Sequence, residues 1–172
     1  NGTDSFTFIA NDGFLTDEAT VILTVNAVND SPVLLPVSDV TFDEDATGSV
    51  SLSANDIDGD DLTYNIVGGD NILTSLDGDA IEFSVIDSDW NGIESFTISV
   101  TDGEYTDSQN ILVSVIPVND APVLDLITDQ IMQEGGTKVV LLSSTDVDSG
   151  YLEYFVTPGQ NIVSEINGPI IT

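Results

Sequence analysis

The chain reads as an all-β protein built from tandem β-sandwich repeats with a period of 90 residues. Two observations carry that reading. Apolar residues alternate with polar ones at a period of two, in short runs rich in Val, Ile, Thr and Phe, punctuated by Gly, Asn, Asp and Pro. Second, "NGTDSFTFIANDGFLTDEATVILTVNAVND" (1–30) aligns without a gap on "NGIESFTISVTDGEYTDSQNILVSVIPVND" (91–120), thirteen of thirty positions being identical. No stretch shows the 3.6-residue periodicity of an amphipathic helix.

Taken in chain order, 1–30 is the last third of one repeat, with strand patterns at "SFTFIA" and "ATVILTV". The joint "VNDSPV" (28–33) follows, where Asn-Asp favours a turn and Pro32 prevents helix continuation. Residues 31–120 form a complete repeat, with strands at "SVSLSA", "LTYNIV", "SFTISV" and "NILVSVI". A second joint, "VNDAPV" (118–123), leads into 121–172, the first half of the next repeat. The same offset lays "SPVLLPVSDV" on "APVLDLITDQ" and "NDIDGDDLTYNI" on "TDVDSGYLEYFV".

Charge narrows the function. Across 172 residues, one Lys, no Arg and no His stand against 31 Asp and Glu, a formal net charge of −30. Nucleic acid is excluded as a partner, because phosphate contacts need Lys and Arg. Anionic membrane surfaces are disfavoured for the same reason, and no 18-residue apolar run points to membrane insertion. A hydrophobic fraction of 41% supports a folded core in spite of the charge. Cysteine is absent, so an extracellular chain of this kind needs a staple other than disulfides, and metal is the candidate. With no signal peptide in view, the sequence reads as an internal piece of something longer.

The acids gather at strand ends. "NDIDGDD" (55–61) holds Asp56, Asp58, Asp60 and Asp61 with no cation nearby; "FDEDAT" (42–47), "DSDWNG" (87–92), "TDG" (101–103) and the joints are similar. A solvated loop explains any single Asp. Recurrence at one repeat position argues for more: Asp56 with Asp146, Asp58 with Asp148, Asp12 with Asp102, Asp30 with Asp120, Glu44 with Glu134. Such oxygen-rich clusters suit Ca²⁺, which takes six to eight oxygen ligands; Mg²⁺ prefers octahedral sites that keep water. Zinc and copper lack their Cys or His ligands. An EF-hand loop is excluded, since Asp61 stands where its turn Gly belongs and Val67 where its last Glu does.

The order "DED" (43–45), "DID" (56–58), "SDWN" (88–91), "TDG" (101–103) and "PVNDAP" (117–122) resembles the cadherin repeat, in the form found in tandem arrays of large bacterial surface proteins. The resemblance implies tandem Ig-like or cadherin-like Greek-key sandwiches with calcium ions at the repeat junctions. It implies Glu44, Asp89, Asn91, Asn119, Asp120, Asp146 and Asp148 as ligands at the second junction. At the first it implies Asn29, Asp30, Asp56, Asp58 and Asp102, with Asn1. The chain departs from the family where Asn91 and Asn1 replace a carboxylate, where Pro117 and Ala27 replace the linker's leading Asp, and where "DSG" (148–150) lacks the extra acids of "DGDD".

The function so implied is a calcium-rigidified spacer of an extracellular adhesin, stalk or filament, at the cell surface and without catalysis. Without cation the acids of two repeats repel; with it their oxygens converge and lock the joint. The alternative is a carbohydrate- or protein-binding module, with Trp90 and Tyr105 as stacking platforms; Tyr64 and Tyr154 share one repeat position and read as core. Paired carboxylates such as Asp87 and Asp89 suit acid–base work in principle, but no nucleophile motif accompanies them. Partners are therefore neighbouring repeats of the same or an identical chain, with a surface glycan or protein as a further candidate. By the 90-residue register Thr172 matches Glu82 and Asn1 matches Asn91, so the last stretch of one copy followed by the first of another rebuilds a repeat short of the residues matching 83–90.

Overall fold

The computed structural model describes every residue except Pro158, Pro169 and Thr172, with backbone alone for Ile170 and Ile171. Among the described residues the secondary structure is entirely strand and turn. Strands β1 (Gly2–Asn11) and β2 (Thr16–Val25) pair antiparallel from Gly2↔Val25 to Asn11↔Thr16. Their turn is closed by Asp12, whose Oδ1 accepts the N–H groups of Phe14 (2.9 Å) and Leu15 (2.8 Å).

The middle of the chain is the packed body. It runs through β3 (Val33–Leu34), β4 (Val40–Asp43), β5 (Gly48–Ser51), β6 (Ala54–Asn55) and β7 (Thr63–Gly68). Then follow β8 (Ile72–Asp77), β9 (Ala80–Val85), β10 (Gly92–Thr101) and β11 (Thr106–Ile116). One sheet has the order β4-β11-β10-β7, with β4 parallel to β11 and the rest antiparallel; β5-β9-β8 is a second sheet, and β3 pairs with β6. Sequence alternation sets which side chains face inward. Phe96, Ile98 and Val100 of β10 and Ile111, Val113 and Val115 of β11 are buried, while their neighbours point outward. Phe83 of β9 meets Phe96 across the sandwich edge-on, with centroids 5.5 Å apart and planes at 71°. Burying side chains of this size contributes roughly 1.5–3 kcal/mol each. Gly48 is required by packing: a Cβ there would lie 2.5 Å from the Phe42 ring and 2.7 Å from Val40.

A carboxylate ties the two sheets together. Glu94 on β10 accepts from the N–H groups of Asp70 (3.1 Å), Asn71 (3.0 Å) and Ile72 (3.1 Å), and from the Asn71 amide (2.9 Å). Partial burial works against its charge, but these donors outweigh it and hold its pKa below the usual range.

Beyond the second joint, β12 (Val123–Leu124), β13 (Val140–Leu141), β14 (Ser144–Thr145), β15 (Ile166–Asn167) and β16 (Ile170–Ile171) form two small sheets, β12-β14 and β13-β16-β15. Here Leu142 is buried while Leu126, Ile131 and Phe155 stand largely in solvent.

Candidate metal centre

Three carboxylates converge in the loop between β6 and β7. Asp56 Oδ1 accepts the N–H groups of Asp58 (2.8 Å) and Gly59 (3.0 Å), a side-chain-closed turn that Gly59 permits by adopting φ 81°. The turn aims Asp56, Asp58 and Asp60 at one volume, with one oxygen from each lying within 4.8 Å of the others. Like charges gathered this closely repel one another even in water. Partial desolvation, then the charges of Asp56, Asp58, Asp102 and Asp61, push the Asp60 carboxyl above its ordinary value.

The first joint is stitched onto this loop. The Asp30 N–H donates to Asp58 Oδ2 (2.8 Å) and the Asn29 amide to Asp102 Oδ2 (3.0 Å). Asp102 Oδ1 takes the N–H groups of Tyr105 (2.6 Å) and Glu104 (2.7 Å). With Tyr105's bond the largest contribution, the pKa of Asp102 lies below its usual value. Asn29, Asp30, Asp56, Asp58 and Asp102 are thus brought to one end of the sandwich.

At the opposite joint the turn is repeated: Asp146 Oδ1 accepts from Asp148 (3.0 Å) and Ser149 (2.6 Å), and Asp120 donates its N–H to Asp148 Oδ2 (2.6 Å). From the middle repeat comes Glu44, only 2% exposed, whose Oε1 accepts the Val118 N–H (2.7 Å) and Oε2 the Asn91 amide (3.1 Å). Asp89 Oδ1 accepts from the Ser88 hydroxyl (2.8 Å), and Asn119 donates its amide to the Asp120 carbonyl (2.7 Å). Desolvation, then the charges of Asp45, Asp89, Asp148 and Glu44, raise the Asp120 pKa. Asp45, Asp60 and Asp61 were outside the ligand set read from the sequence; the signal for the last two was the crowding of "DGDD" itself. Among the described residues, only Asp56, Asp58 and Asp60 form a group of three such side chains this close.

The donor set fits a hard cation. It is all oxygen, and Asp56 Oδ2 is buried with no hydrogen-bond partner among the described residues, a costly orphan for a carboxylate unless a cation or water faces it. The stacking platform is less available: Trp90 is half-buried against the core, with its ring over Gly92.

Two packed antiparallel sheets closed by a parallel β4–β11 edge define an immunoglobulin-like sandwich. The chain belongs to the bacterial Ig domain family, whose family model matches residues 29–114. Its fold is similar to that of human protocadherin-24 EC1-2: 22% sequence identity, covering 83% of this chain and 79% of that one, with a TM-score of 0.53. Among curated proteins it is similar to chitinase A of Pseudoalteromonas piscicida, 39% identical over 61 residues, which is 34% of this chain and 7% of the chitinase. The chain therefore spans a small fraction of that relative's length. An endo-fucoidan hydrolase from glycoside hydrolase family 107 matches at 26% identity over 67% of this chain and 19% of that one, with a TM-score of 0.37.

Proposed function

We propose that this chain is a calcium-rigidified structural spacer of an extracellular or cell-surface protein, acting by mechanics and not by catalysis. The observation behind it is the Asp56–Asp58–Asp60 convergence with the orphaned Asp56 Oδ2, tied through the Asp30 N–H to the joint that precedes the sandwich. When bound, the ion supplies the positive charge that the chain lacks. The chain's own part is to hold the ligands: the Asp56 turn orients three carboxylates, and the backbone bonds of Asp30 and Asp120 draw each joint against its loop. By mass action an ion at a hundredfold excess over its Kd stabilises the folded state by about 2.7 kcal/mol per site. Extracellular placement accords with the bacterial Ig membership and the chitinase match.

Calcium titration by calorimetry, with melting and small-angle scattering, tests this. Calcium should raise the melting temperature and lengthen the particle, and magnesium at equal concentration should do much less. Unchanged stability and shape in chelator would sink the reading. A second reading, a carbohydrate-binding accessory module, has the chitinase match behind it; reproducible glycan-array binding by this chain would favour it.

A further inference from the structure

Near the start of the middle sandwich, β4 runs parallel to β11, its last strand, and the ladder between them is short. They pair from Val40↔Val113 to Asp43↔Ile116, and the Glu44 N–H continues onto the Ile116 carbonyl (3.0 Å). Upstream of Val40 the chain leaves this ladder: β3 pairs with β6 instead, and Pro36 has no N–H to give. Side chains take over there. Asp107 Oδ2 accepts the Leu34 N–H (2.8 Å), and Asp39 Oδ1 accepts the Leu112 N–H (2.8 Å). Between them the Gln109 amide serves both backbone groups of one residue. Its Oε1 accepts the Val37 N–H (3.1 Å) and its Nε2 donates to the Val37 carbonyl (2.7 Å). At the far end Glu44 Oε1 holds the Val118 N–H (2.7 Å). Residues 34–44 are thus fastened to 107–118 along their whole length.

The parallel sense fixes how tension acts on these bonds. The chain comes in from the first joint and runs from Leu34 towards Glu44; it leaves from the C-terminal end of β11 into the second joint. In a parallel pair those two exits lie at opposite ends of the pairing. Tension between the joints therefore slides 34–44 against β11 and loads all of the bonds together. An antiparallel pair would instead be opened one bond at a time. The sheet β5-β9-β8 lies outside this path, and so does the Glu94 tie from β10 to β8.

We propose that the side-chain ties of Asp107, Gln109 and Asp39 extend the short β4–β11 ladder into a shear clamp, which sets the force the middle repeat withstands between its joints. Forced unfolding is governed by the rate of crossing the barrier and not by the folding equilibrium. A bond that breaks before the barrier counts fully in that rate, and one that survives past it does not. The clamp bonds are the first to carry the tension, so they fall in the former group and the Glu94 tie in the latter. The clamp rests on the spacer reading, because it needs tension to pass through the joints, but it involves no ion.

Single-molecule pulling on the full chain in chelator tests the idea. The chain has no Cys, so Ser31→Cys with Ala121→Cys, both at exposed positions outside the ligand set, gives unique handles on either side of the sandwich. At a fixed force Gln109→Ala should unfold about tenfold faster than the unaltered chain. Gln109→Glu keeps the acceptor and loses the donor, so it should fall between the two, and it carries the test should the Ala variant not fold. Glu94→Ala is the control, since it removes the same kind of side-chain tie. It should lower the melting temperature at least as far as Gln109→Ala, yet change the rate under force by less than about twofold. Gln109 variants that melt lower but unfold under force at the unaltered rate would overturn the clamp, as would equal acceleration by Glu94→Ala. The clamp and the ion fail separately. Acceleration in chelator, with no effect of calcium on particle length, keeps the clamp and removes the ion; lengthening by calcium without that acceleration does the reverse.

Discussion

The two acidic joints share one turn and differ in where their charge comes from. At the first, Asp56, Asp58 and Asp60 lie on a single loop, and the joint contributes an N–H from Asp30. At the second, Asp146 and Asp148 repeat the turn, but Gly150 stands at the position of Asp60. The negative charge around Asp120 comes instead from Asp45, Asp89 and Glu44 of the preceding repeat, beside Asp148. One joint is concentrated in a loop; the other is spread over two repeats. A local cluster needs only its turn to form, whereas a distributed one needs the interdomain angle to be right first. The first joint is therefore expected to bind an ion more tightly, and the second to report more on interdomain angle.

Glu44 offers the largest break in that contrast. Glu44→Ala leaves the part-buried Val118 N–H and the Asn91 amide without their acceptor, and should cost about 1–3 kcal/mol whether or not calcium is present. Melting in chelator checks it; a loss seen only with calcium would make Glu44 purely a ligand. Asp56→Asn comes next. It keeps the Oδ1 that closes the turn and removes a charge from the trio, so the metal-free chain should hold or gain stability. Calcium affinity at the first joint should drop about tenfold, roughly 1.4 kcal/mol. Equal loss in both states would show that the orphaned oxygen is no ligand.

Gly150→Asp is a gain-of-function test. A Cβ there meets nothing within 4 Å, so the side chain fits, and it restores the missing third carboxylate. Calcium affinity at the second joint should rise severalfold in calorimetry, approaching that of the first; no change would mean that the third acid does not distinguish the joints. A pH series gives a smaller effect. Asp60 and Asp120 have raised pKa values, so the folded state holds their protons more tightly than the unfolded one. Metal-free stability should therefore rise as pH falls from neutral towards the ordinary Asp value of 3.8. Asp12 and Asp102 have lowered values; their contribution is present above that ordinary value and is lost as pH falls through the depressed ones. The metal-free melting temperature should thus pass through a maximum in mild acid, while with calcium it should only fall. Asp79→Ala, in the turn between β8 and β9, should change neither affinity nor stability by more than about 0.5 kcal/mol.

Local alternation was enough, from sequence alone, for β7, β10 and β11, because a sheet with one buried face needs an apolar residue at every second position. The acids of the Asp56 and Asp146 loops were legible as clusters at strand ends, but their closing of those loops by side-chain acceptance was seen only in the structure. The strands β8 and β9 were not read from the sequence; their short runs mix Thr, Ser and Glu with two apolar inward positions on β9, Ile81 and Phe83. Tertiary structure alone decided the rest. It buried Glu44 and set its two oxygens on partners 47 and 74 residues away. It turned Trp90 onto the core, and it made Glu94 a tie to β8 instead of a surface acid. It also showed that Asp30 and Asp120 reach their loops through backbone N–H groups. Alternation and turn chemistry act within a few residues, whereas an acid's burial and partners depend on which distant loops the sheet register brings to the same end of the sandwich.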